Sequence, residues 1–332
     1  MSARVAVVGA TGNVGRVMLA LLRERAFPAD EVVPFASPRS AGMTVDGLPV
    51  RVLDADADLS GFDVALFSAG ASISREWAAR FVDAGAVVVD NSSAFRRDPE
   101  VPLVVSEVNP EALERHRGLI ANPNCSTMQL MVALAPIHRA AGIERLVVAT
   151  YQSVSGTGKR ALDELDAQTR ASVAGAAVPV PSVYPEQIAF NVIGAAGSFA
   201  DGDDHTDEER KMMFETRKIL GDETIGIAVT CVRVPVRVSH SLAVNVQTRE
   251  PLPIERARQL LADAPGLALE DVPSPLRAAG RDEVFVGRLR ADDSHPRALS
   301  MWVVADNLRK GAATNAVQIA ELLVGARSGA PR

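Results

Sequence analysis

Residues 4–15 read RVAVVGATGNVG, in which a β-branched run leads directly into three glycines. The run 4–8 is typical of a buried strand, and a helical pattern extends from about Val14 to Arg25. Glycines let a backbone approach a pyrophosphate closely, and the N-terminus of the following helix offers N–H donors. The stretch therefore predicts the opening of a dinucleotide-binding fold, although a glycine turn with a purely structural purpose gives the same pattern.

The rest of the chain extends this pattern into two domains. The first part carries short β-type runs at 32–36, 64–68, 87–90 and 119–121, and the second carries longer ones at 225–238, 242–248, 284–290 and 299–305. Helical stretches between the early runs predict a Rossmann-type doubly wound parallel sheet. The later runs, with a predicted hairpin over 291–298, indicate a mixed sheet. From this pattern we expect a first, dinucleotide-binding domain over 1–127, completed by a C-terminal helix at about 308–332, and a second, α+β domain over 128–307, which the family resemblance given below would make the catalytic and dimerisation domain.

The composition limits the class of protein. The chain has 332 residues, a net charge of -6 and two cysteines. Nucleic-acid binding requires basic patches, so this charge argues against a nucleic-acid partner. Two cysteines are too few for a disulfide-stapled secreted domain, and no apolar stretch approaches the roughly 18–20 residues of a membrane span. We therefore expect a cytoplasmic protein without a membrane partner.

The end of the second predicted strand indicates which dinucleotide is bound. An NAD site usually places Asp or Glu about 20 residues past the glycines, where it holds the ribose 2′-hydroxyl. Residues 35–40 read FASPRS and contain no acid. Arg39, with Ser37 and Ser40, is suited to a 2′-phosphate instead, so we predict NADP.

The run NPNCST at 122–127 supplies a candidate nucleophile. Cys125 stands at a strand-to-helix transition, directly before an apolar helix that we predict to begin near Ser126. A helix N-terminus stabilises a thiolate, and the carboxyl edge of a parallel sheet is where ligand sites form. Cys231 lies in an alternating strand and fits a buried, inert cysteine. A thiol beside a nicotinamide favours thioester chemistry, which interconverts an acyl group and an aldehyde.

The thiol needs a partner that exchanges protons. Of five histidines, His240 is the candidate, because it follows a predicted strand in the run Ser239–Ser241 and Arg233 precedes it by seven residues. Taken alone, the pair also fits two ordinary strand residues. Farther upstream, Thr206 and Glu209 form the signature of a capping box, which predicts a helix start. We assign no metal to the acidic loop 201–205.

Several runs together resemble a known family over essentially the whole chain. In order, they are GATGNVG, SPRSAG, NPNCST, YQSVSGTGK, EERKM, CVRVPVRVSHS and DNLRKGAATNAVQ. In order and spacing they are similar to bacterial aspartate-semialdehyde dehydrogenases. The runs around Cys125 and His240 are specific to that family, whereas the glycine turn is not.

The resemblance implies a role for each matching position. Cys125 would carry the acyl group as a thioester, His240 would be the general acid/base, and Gln152 would orient the substrate. Arg233 would pair with the substrate α-carboxylate, and Glu208 would help to position the substrate. Arg96 and Lys211 would hold phosphate, although from the residues alone Arg97 is an equal candidate beside Arg96, and Glu208 fits a solvated helix face. The implied NADP contacts are Gly9, Thr11, Gly12, Asn13, Val14, Arg39, Ser40, Ser155, Gly156 and Asn307.

The implied reaction is the NADPH-dependent reduction of L-aspartyl-4-phosphate to L-aspartate-4-semialdehyde and phosphate, within the biosynthesis of diaminopimelate, lysine, threonine, methionine and isoleucine. A homodimer is also implied. The chain departs from the common pattern at Ser153, where the family often has Ala, at Gly194, where it often has Pro, and over 184–187. Two rivals stay open, namely another acyl-phosphate reductase, such as N-acetyl-glutamyl-phosphate reductase, and a non-catalytic NADPH-binding regulator.

Overall fold

The computed structural model describes residues 3–328. The strands are β1 Ala3–Val8, β2 Ala29–Ala36, β3 Thr44–Val45, β4 Leu48–Pro49, β5 Arg51–Val52, β6 Val64–Phe67, β7 Val87–Asp90, β8 Leu119–Ala121, β9 Ile143–Gln152, β10 Gly226–Arg233, β11 His240–Thr248, β12 Leu267–Leu269, β13 Val284–Ala291 and β14 Ala298–Ala305. The α-helices are α1 Asn13–Glu24, α2 Ala71–Asp83, α3 Cys125–Ala141, α4 Lys159–Val173, α5 Asp207–Leu220, α6 Ile254–Ala262, α7 Pro275–Ala278 and α8 Asn315–Ser328. Short 3₁₀ segments lie at Pro38–Ser40, Pro110–Arg115 and Val154–Thr157, and a short π segment lies at Arg309–Thr314.

The chain divides into two compact units. One is formed by Met1–Asn124 with Ala312–Arg332, and the other by Cys125–Gly311. The domains expected from the sequence were 1–127 with about 308–332, and 128–307. The predicted first domain also includes residues 1–2 and 329–332, which lie outside the described residues.

The first unit contains the predicted doubly wound sheet. Its strand order is β5-β2-β1-β6-β7-β8, and every neighbouring pair is parallel. The order reverses between β1 and β6, which is the point where open α/β sheets form a ligand crevice at their carboxyl ends. The Rossmann-type fold predicted from the glycine turn is confirmed.

Both faces of this sheet are covered because β1 is apolar on both sides. Val5 and Val7 pack in one core cluster with α1 and α8, and Ala6 and Val8 pack in the opposite cluster with α2. In the second cluster the ring of Phe81 meets that of Phe67 edge-on at 5.3 Å. Alternate residues of a strand point to opposite faces, so a continuous apolar run is what a two-sided sheet requires.

The C-terminal segment is fastened to the first unit by Asn315. Its Nδ2 donates to the carbonyl oxygen of Val104 at 2.8 Å and to Oδ1 of Asn122 at 2.6 Å. Its Oδ1 accepts from the N–H of Ser106 at 2.9 Å. The first asparagine of the NPNCST run is therefore a structural residue that binds the start of α8.

The second unit is built on a mixed sheet with the order β10-β9-β11-β14-β13-β12. β9 pairs with β10 in parallel, and β11 is antiparallel to both β9 and β14. The predicted hairpin is present, because β13 and β14 are antiparallel and joined by 292–297. Helix α3 packs on one face and begins at Cys125 itself, one residue earlier than the predicted start at Ser126.

β10 ends at Arg233, although the apolar pattern predicted a β-type run to Val238. The backbone N–H of Val154 donates to the carbonyl oxygen of Val236 at 2.9 Å, so this segment pairs with the loop after β9 rather than continuing the sheet. Ser239 then adopts a left-handed conformation with φ of 77°. This turn reverses the chain and allows β11 to begin at His240.

The predicted capping box is present at the start of α5. The N–H of Glu209 donates to Thr206 Oγ1 at 3.3 Å, and Glu209 Oε2 accepts from the N–H of Thr206 at 2.9 Å. The other oxygen, Oε1, accepts from the N–H of Cys231 at 2.9 Å. The cap therefore also fixes α5 against β10, a contact that the sequence pattern did not reveal.

Within residues 3–328, no helix is both long enough and apolar enough to cross a membrane.

Candidate active site

Three of the predicted site residues lie at one end of the mixed sheet. β9 and β10 end with Gln152 and Arg233, which are register partners. β11 runs the opposite way and begins at His240, which is paired with Ala305 at the end of β14. Because β10 runs parallel to β9 and β11 runs antiparallel to both β9 and β14, these residues meet at one edge of the sheet. The two that are farthest apart in sequence, Gln152 and Ala305, are separated by 153 positions (305 − 152).

The loop after β9 connects Arg233 with His240. The N–H of Ser153 donates to His240 Nδ1 at 3.0 Å, and Arg233 Nη1 donates to the carbonyl oxygen of Ser153 at 2.7 Å. The Cα of Gly156 lies so close that an added Cβ would stand 3.3 Å from His240 Nε2 and 3.7 Å from Arg233 Nη1. The ring and the guanidinium are therefore held by one short loop.

Asn307, just beyond β14, completes this network. Its Oδ1 accepts from the N–H of Ser239 at 2.8 Å, from Ser155 Oγ at 3.0 Å and from Ser153 Oγ at 3.1 Å. Ser153 Oγ is also 3.1 Å from His240 Nδ1. One buried amide oxygen thereby joins the turn before β11 to the loop after β9.

His240 is fully buried and uncharged. Burial, with a smaller contribution from the nearby Arg233 guanidinium, lowers the pKa of His240 to about 3. Its Nδ1 is used by Ser153, whereas its buried Nε2 has no hydrogen-bond partner among residues 3–328. A buried polar atom without a partner costs about 1–3 kcal/mol, so Nε2 is suited to a ligand atom.

Arg233 also keeps part of its hydrogen-bonding capacity. Its Nε is buried and has no partner in the described part of the chain. Its guanidinium carbon lies 5.8 Å from the centre of the Tyr184 ring. Burial raises the pKa of Tyr184 even though the Arg233 charge opposes that shift, so the phenol stays neutral beside the cation.

Cys125 occupies the first position of α3 and is half-buried. A Cβ added to Gly311 would stand 3.0 Å from the Cys125 Cβ, which is closer than ordinary van der Waals contact, so a side chain at position 311 would crowd the cysteine. The N–H of Gly311 donates to the carbonyl oxygen of Asp306 at 3.0 Å, which places Cys125 beside the segment that carries Asn307. Cys231 is fully buried in β10, and burial raises the pKa of its thiol.

Of the other predicted site residues, Gln152 ends β9, and Glu208 and Lys211 lie near the start of α5. Gln152 is buried, with Nε2 3.3 Å from Thr150 Oγ1. Lys211 Nζ lies 2.6 Å from Asp207 Oδ2 and 3.2 Å from Glu208 Oε2. Burial lowers the pKa of Lys211, but the two carboxylates outweigh it and the net shift is upward. The lysine is therefore a firmly charged cation on α5.

The glycine turn of the first unit has the backbone geometry of a phosphate cradle. Gly9 has φ of 85°, and a Cβ there would stand 2.4 Å from the carbonyl oxygen of Ser68. A Cβ on Gly15 would stand 2.3 Å from the carbonyl oxygen of Gly9. Asn13 opens α1, and its buried Nδ2 has no partner among the described residues. An open helix N-terminus with an orphaned donor fits a pyrophosphate.

The remaining candidates of the first unit also follow strands. Thr11 and Val14 are half-buried in the turn and the first helical turn. Beyond β2, Arg39 is exposed and Ser40 is buried in the 3₁₀ turn. Beyond β7, Arg96 is buried and its Nη2 donates to the carbonyl oxygen of Asn91 at 2.7 Å, whereas Arg97 is exposed.

Sequence reasoning missed several residues that shape this site. The sequence shows Ser153 only as a departure from the family pattern, and it predicts no role for Tyr184, Asp306 or Gly311. Asp306 is signalled only weakly by sequence, yet its Oδ1 accepts from the N–H groups of Leu308 and Arg309 and starts the turn that leads to Gly311. No group of three or more His, Cys, Asp or Glu is placed to hold a metal within residues 3–328.

Comparisons with known proteins identify the family of the chain. Residues 4–116 match the family described as "Semialdehyde dehydrogenase, NAD binding domain", and residues 134–310 match "Semialdehyde dehydrogenase, dimerisation domain". The chain is 53% identical to the aspartate-semialdehyde dehydrogenase of Aquifex aeolicus, covering 98% of each protein.

Two solved structures extend the likeness to the fold. Aspartate semialdehyde dehydrogenase II of Vibrio cholerae, complexed with ASA, aligns with a TM-score of 0.94 and 50% identity, covering 98% of each chain. The Candida albicans enzyme with NADP aligns with a TM-score of 0.73 and 26% identity, covering 98% of this chain and 99% of that one. On these identities and coverages, the chain belongs to the bacterial aspartate-semialdehyde dehydrogenase family.

Proposed function

We propose that this protein reduces L-aspartyl-4-phosphate to L-aspartate-4-semialdehyde with NADPH, through a thioester on Cys125. The observation that carries the proposal is the edge of the mixed sheet, where Arg233 and the orphaned Nε2 of His240 are held by one loop. A guanidinium such as that of Arg233 suits a bound carboxylate, and a donor such as His240 Nε2 suits an oxyanion that develops during the reaction. The 53% identity with an aspartate-semialdehyde dehydrogenase supports the choice of substrate.

Cys125 acts as the nucleophile. The N-terminus of α3 stabilises its thiolate, because the first-turn N–H groups and the helix dipole favour a negative charge there. The sulfur attacks the acyl carbon, and the bond between that carbon and the phosphate oxygen breaks. The phosphate leaves with the electron pair and takes a proton from solvent, so the acyl group remains on sulfur.

His240 is the acid–base residue of the second step. It shares a proton with the carbonyl oxygen on which negative charge develops, and it recovers that proton when the aldehyde forms and the carbon–sulfur bond breaks. The fixed ring position supports this role, since Ser153 holds Nδ1 and leaves Nε2 for the ligand. Gln152 orients the acyl group beside the sulfur.

Two sets of charges hold the substrate. Arg233 pairs with the α-carboxylate, which suits a planar guanidinium with donors to spare. Glu208 helps to position the substrate. Arg96 and Lys211 bind phosphate, and the buried position of Arg96 favours it over the exposed Arg97.

The first unit would hold NADPH, and the reduced nicotinamide, when bound, would supply the hydride that reduces the thioester carbon. The glycine turn with Asn13 holds the pyrophosphate, while Arg39 and Ser40 hold the 2′-phosphate. The NADP in the Candida albicans neighbour supports this cofactor. The predicted contacts in that turn are Gly9, Thr11, Gly12, Asn13 and Val14.

Three residues of the second unit are further proposed cofactor contacts. Ser155 and Gly156 contribute from the loop after β9, and their assignment rests on the family resemblance. Asn307 contributes through Nδ2, because its Oδ1 already accepts from three donors.

A second copy of the chain is the proposed partner. Residues 134–310 match a dimerisation domain, and β9 exposes Val147 and Tyr151 on the sheet face away from α3. Tyr151 packs against Trp302 on that face with ring centres 5.2 Å apart. We place this homodimer in the cytoplasm, in the biosynthesis of diaminopimelate, lysine, threonine, methionine and isoleucine.

The test is phosphate-dependent reduction of NADP with L-aspartate-4-semialdehyde, measured beside Cys125→Ala. The wild-type protein is expected to turn over only with phosphate, and the variant to bind NADP without turnover. Activity with N-acetyl-glutamate semialdehyde in place of the aspartate compound would support the rival reductase. Labelling of Cys125 that substrate does not slow would support a non-catalytic NADPH-binding regulator.

A further inference from the structure

Tyr184 lies against the guanidinium of Arg233, although the family resemblance gives it no role. It belongs to the stretch 184–187, where the chain departs from the common family pattern. The guanidinium carbon of Arg233 lies over the Tyr184 ring, 5.8 Å from its centre. A cation within about 6 Å of an aromatic face is attracted by the electron density of the ring, and the attraction is larger where water is excluded. Arg233 is buried, so this contact is of the stronger kind.

The hydroxyl of Tyr184 fixes the ring to the loop after β9. It donates to Thr157 Oγ1 at 3.0 Å. The same loop receives the hydrogen bond of the guanidinium, because Arg233 Nη1 donates to the carbonyl oxygen of Ser153 at 2.7 Å. The guanidinium is therefore held by the backbone of this loop and by a ring that is bonded to the loop.

The backbone on both sides of Tyr184 is also anchored. Before it, Glu164 Oε2 on α4 accepts from the N–H of Ser182 at 2.6 Å and from its hydroxyl at 2.8 Å. After it, the N–H of Ile193 donates to the carbonyl oxygen of Arg233 at 3.0 Å, and the N–H of Arg233 donates back to Ile193 at 2.8 Å. The segment that carries the ring is thus tied to α4 and to the end of β10.

The contact with Ser153 leaves one edge of the Arg233 guanidinium for a ligand. In a guanidinium, Nε and Nη2 form an edge whose two N–H groups point the same way and match the two oxygens of a carboxylate. The nitrogen that Ser153 uses, Nη1, lies outside this edge. Nε is buried and has no partner within residues 3–328. A buried donor without a partner is costly, so this edge is suited to an anionic ligand.

We propose that Tyr184 is the positioning residue for the substrate α-carboxylate: its ring holds the Arg233 guanidinium so that the Nε–Nη2 edge is presented to the carboxylate. This inference rests on the proposed function. A neutral ring stabilises the cation without forming an ion pair, so the charge of Arg233 stays available for the ligand. An acidic side chain in the place of the ring would pair with Arg233 and compete with the substrate.

The ring also packs against an apolar cluster that includes Val154 and Leu165. A ring that served only this packing would lower stability when it is removed, but it would not weaken the binding of one substrate selectively. The test must therefore separate the Michaelis constants of the two substrates, L-aspartate-4-semialdehyde and inorganic phosphate.

Steady-state kinetics of Tyr184→Leu and Tyr184→Phe, with each substrate varied in turn, make this separation. Leucine removes the aromatic face, so KM for the semialdehyde is expected to rise about 3- to 30-fold, with a smaller change in kcat. Phenylalanine keeps the face and loses only the bond to Thr157, so KM is expected to stay within about threefold of the wild type. KM for phosphate, which Arg96 and Lys211 are proposed to hold, is expected to change by less than about twofold in both variants.

Phe190→Leu is the matched control, because it removes an aromatic ring from an exposed position in the same segment. Both of its KM values are expected to equal those of the wild type. An unchanged semialdehyde KM in Tyr184→Leu would overturn the proposal. So would an equal rise in Tyr184→Phe, or an equal rise in the KM values of both substrates.

A second measurement requires neither turnover nor a folded leucine variant. The chain has two tyrosines, Tyr151 and Tyr184, so ¹³C-labelled tyrosine gives two sets of ring signals, which Tyr184→Phe assigns. The semialdehyde alone, without NADP or phosphate, is expected to shift the Tyr184 signals in the wild type and to shift them less in Arg233→Lys at the same concentration. Tyr184 signals that do not respond, or that respond equally in Arg233→Lys, would overturn the proposal. A shift in a protein without turnover would instead reject the proposed reaction and support the carboxylate site, so the two failures are distinguishable.

Discussion

The guanidinium of Arg233 donates from Nη1 to the backbone carbonyl oxygen of Ser153 across 2.7 Å. The same peptide segment holds His240, because the Ser153 N–H donates to its Nδ1 at 3.0 Å. In the proposed mechanism Arg233 binds the substrate carboxylate and His240 donates the proton. Both side chains are therefore held by the backbone of Ser153. A change in either residue is transmitted to the other through Ser153, so their substitutions are not expected to be additive.

Replacement of Arg233 by lysine is expected to weaken substrate binding. A lysine keeps the positive charge but loses the planar pair of donors and the bond to Ser153. Loss of a charge-assisted hydrogen bond corresponds to about 10- to 100-fold, so we expect KM for the semialdehyde to rise by about that factor, with a smaller fall in kcat. Steady-state kinetics with varied semialdehyde measure both values.

Arg237→Lys serves as the control for that experiment. Arg237 lies on the surface, where it pairs with Asp166. Its replacement is expected to leave KM within about twofold, because exposed ion pairs contribute little. Equal effects of the two lysine substitutions would contradict the assignment of Arg233 to the substrate carboxylate.

Gly156→Ala is expected to impair the chemical step without unfolding the protein. Gly156 does not have a left-handed backbone, so alanine causes no strain there, but the new Cβ would stand 3.3 Å from both Cε1 and Nε2 of His240. The ring must shift away from the position that the substrate oxygen requires. A misplacement of about 1 Å can cost about 100-fold; the shift required here is a few tenths of an ångström, so we expect kcat to fall by roughly threefold to tenfold.

The matched control is Gly194→Ala. Gly194 also lacks a left-handed backbone, and nothing lies within 4 Å of an added Cβ. The Gly194→Ala enzyme is expected to have the same kcat and the same thermal unfolding midpoint as the wild type. A Gly156→Ala enzyme with unchanged kcat would show that the ring tolerates the methyl group and that Nε2 does not act from this position.

The stability of the protein is expected to fall in mild acid because of His240. Its pKa is lowered to about 3 in the folded protein, while an unfolded histidine has a pKa of about 6.5. Between these values the unfolded chain binds a proton that the folded protein cannot bind, so the free energy of unfolding decreases as pH falls below about 6.5. At pH 5 this single residue accounts for roughly 2 kcal/mol.

Urea denaturation at pH 7.5 and pH 5 measures this effect in the wild type and in His240→Asn. The asparagine variant is expected to lose less stability between the two pH values, even if it is less stable at both. His295→Gln, in the turn between β13 and β14, is the control and is expected to follow the wild type. The same loss in His240→Asn as in the wild type would mean that other groups cause the acid sensitivity.

Thr206→Ala is expected to destabilise the protein. The substitution removes the side chain that accepts from the Glu209 N–H and leaves Glu209 with half of the capping box. Loss of an N-cap costs about 0.5–2 kcal/mol, which urea denaturation can resolve. Thr206→Ser restores the hydroxyl and is expected to recover most of that loss; an alanine variant as stable as the serine variant would argue against the cap.

Arg39→Asp is expected to discriminate between the two cofactors. Arg39 follows β2 in a turn without acidic residues, so its charge is placed for a 2′-phosphate. Reversal of the charge is expected to weaken NADP binding by roughly 10- to 100-fold and to leave NAD binding nearly unchanged, as calorimetry with each cofactor would measure. Arg117→Asp reverses an exposed charge in the same unit and controls for the change in net charge. An equal loss of NADP and NAD binding in Arg39→Asp would contradict the assignment of Arg39 to the 2′-phosphate.

The sequence by itself determined the fold of the first unit and the family to which the chain belongs. A strand, three spaced glycines and a helix have few alternatives, because only glycine tolerates the contact of 2.3 Å that a Cβ on Gly15 would make with the Gly9 carbonyl oxygen. The runs around Cys125 and His240 likewise identified the family. Local signals such as the capping box at Thr206 were also sufficient, since they depend on residues within one turn.

Only the tertiary structure decided how those residues are held. Ser153, His240 and Asn307 are far apart in sequence, and their hydrogen bonds exist because β9, β11 and β14 are neighbours in one sheet. The group that donates to His240 Nδ1 is a backbone N–H, which no residue type encodes. The burial of His240 removes the ring from water and suppresses its charge. These properties arise from strand pairing over long separations, and a linear pattern cannot specify them.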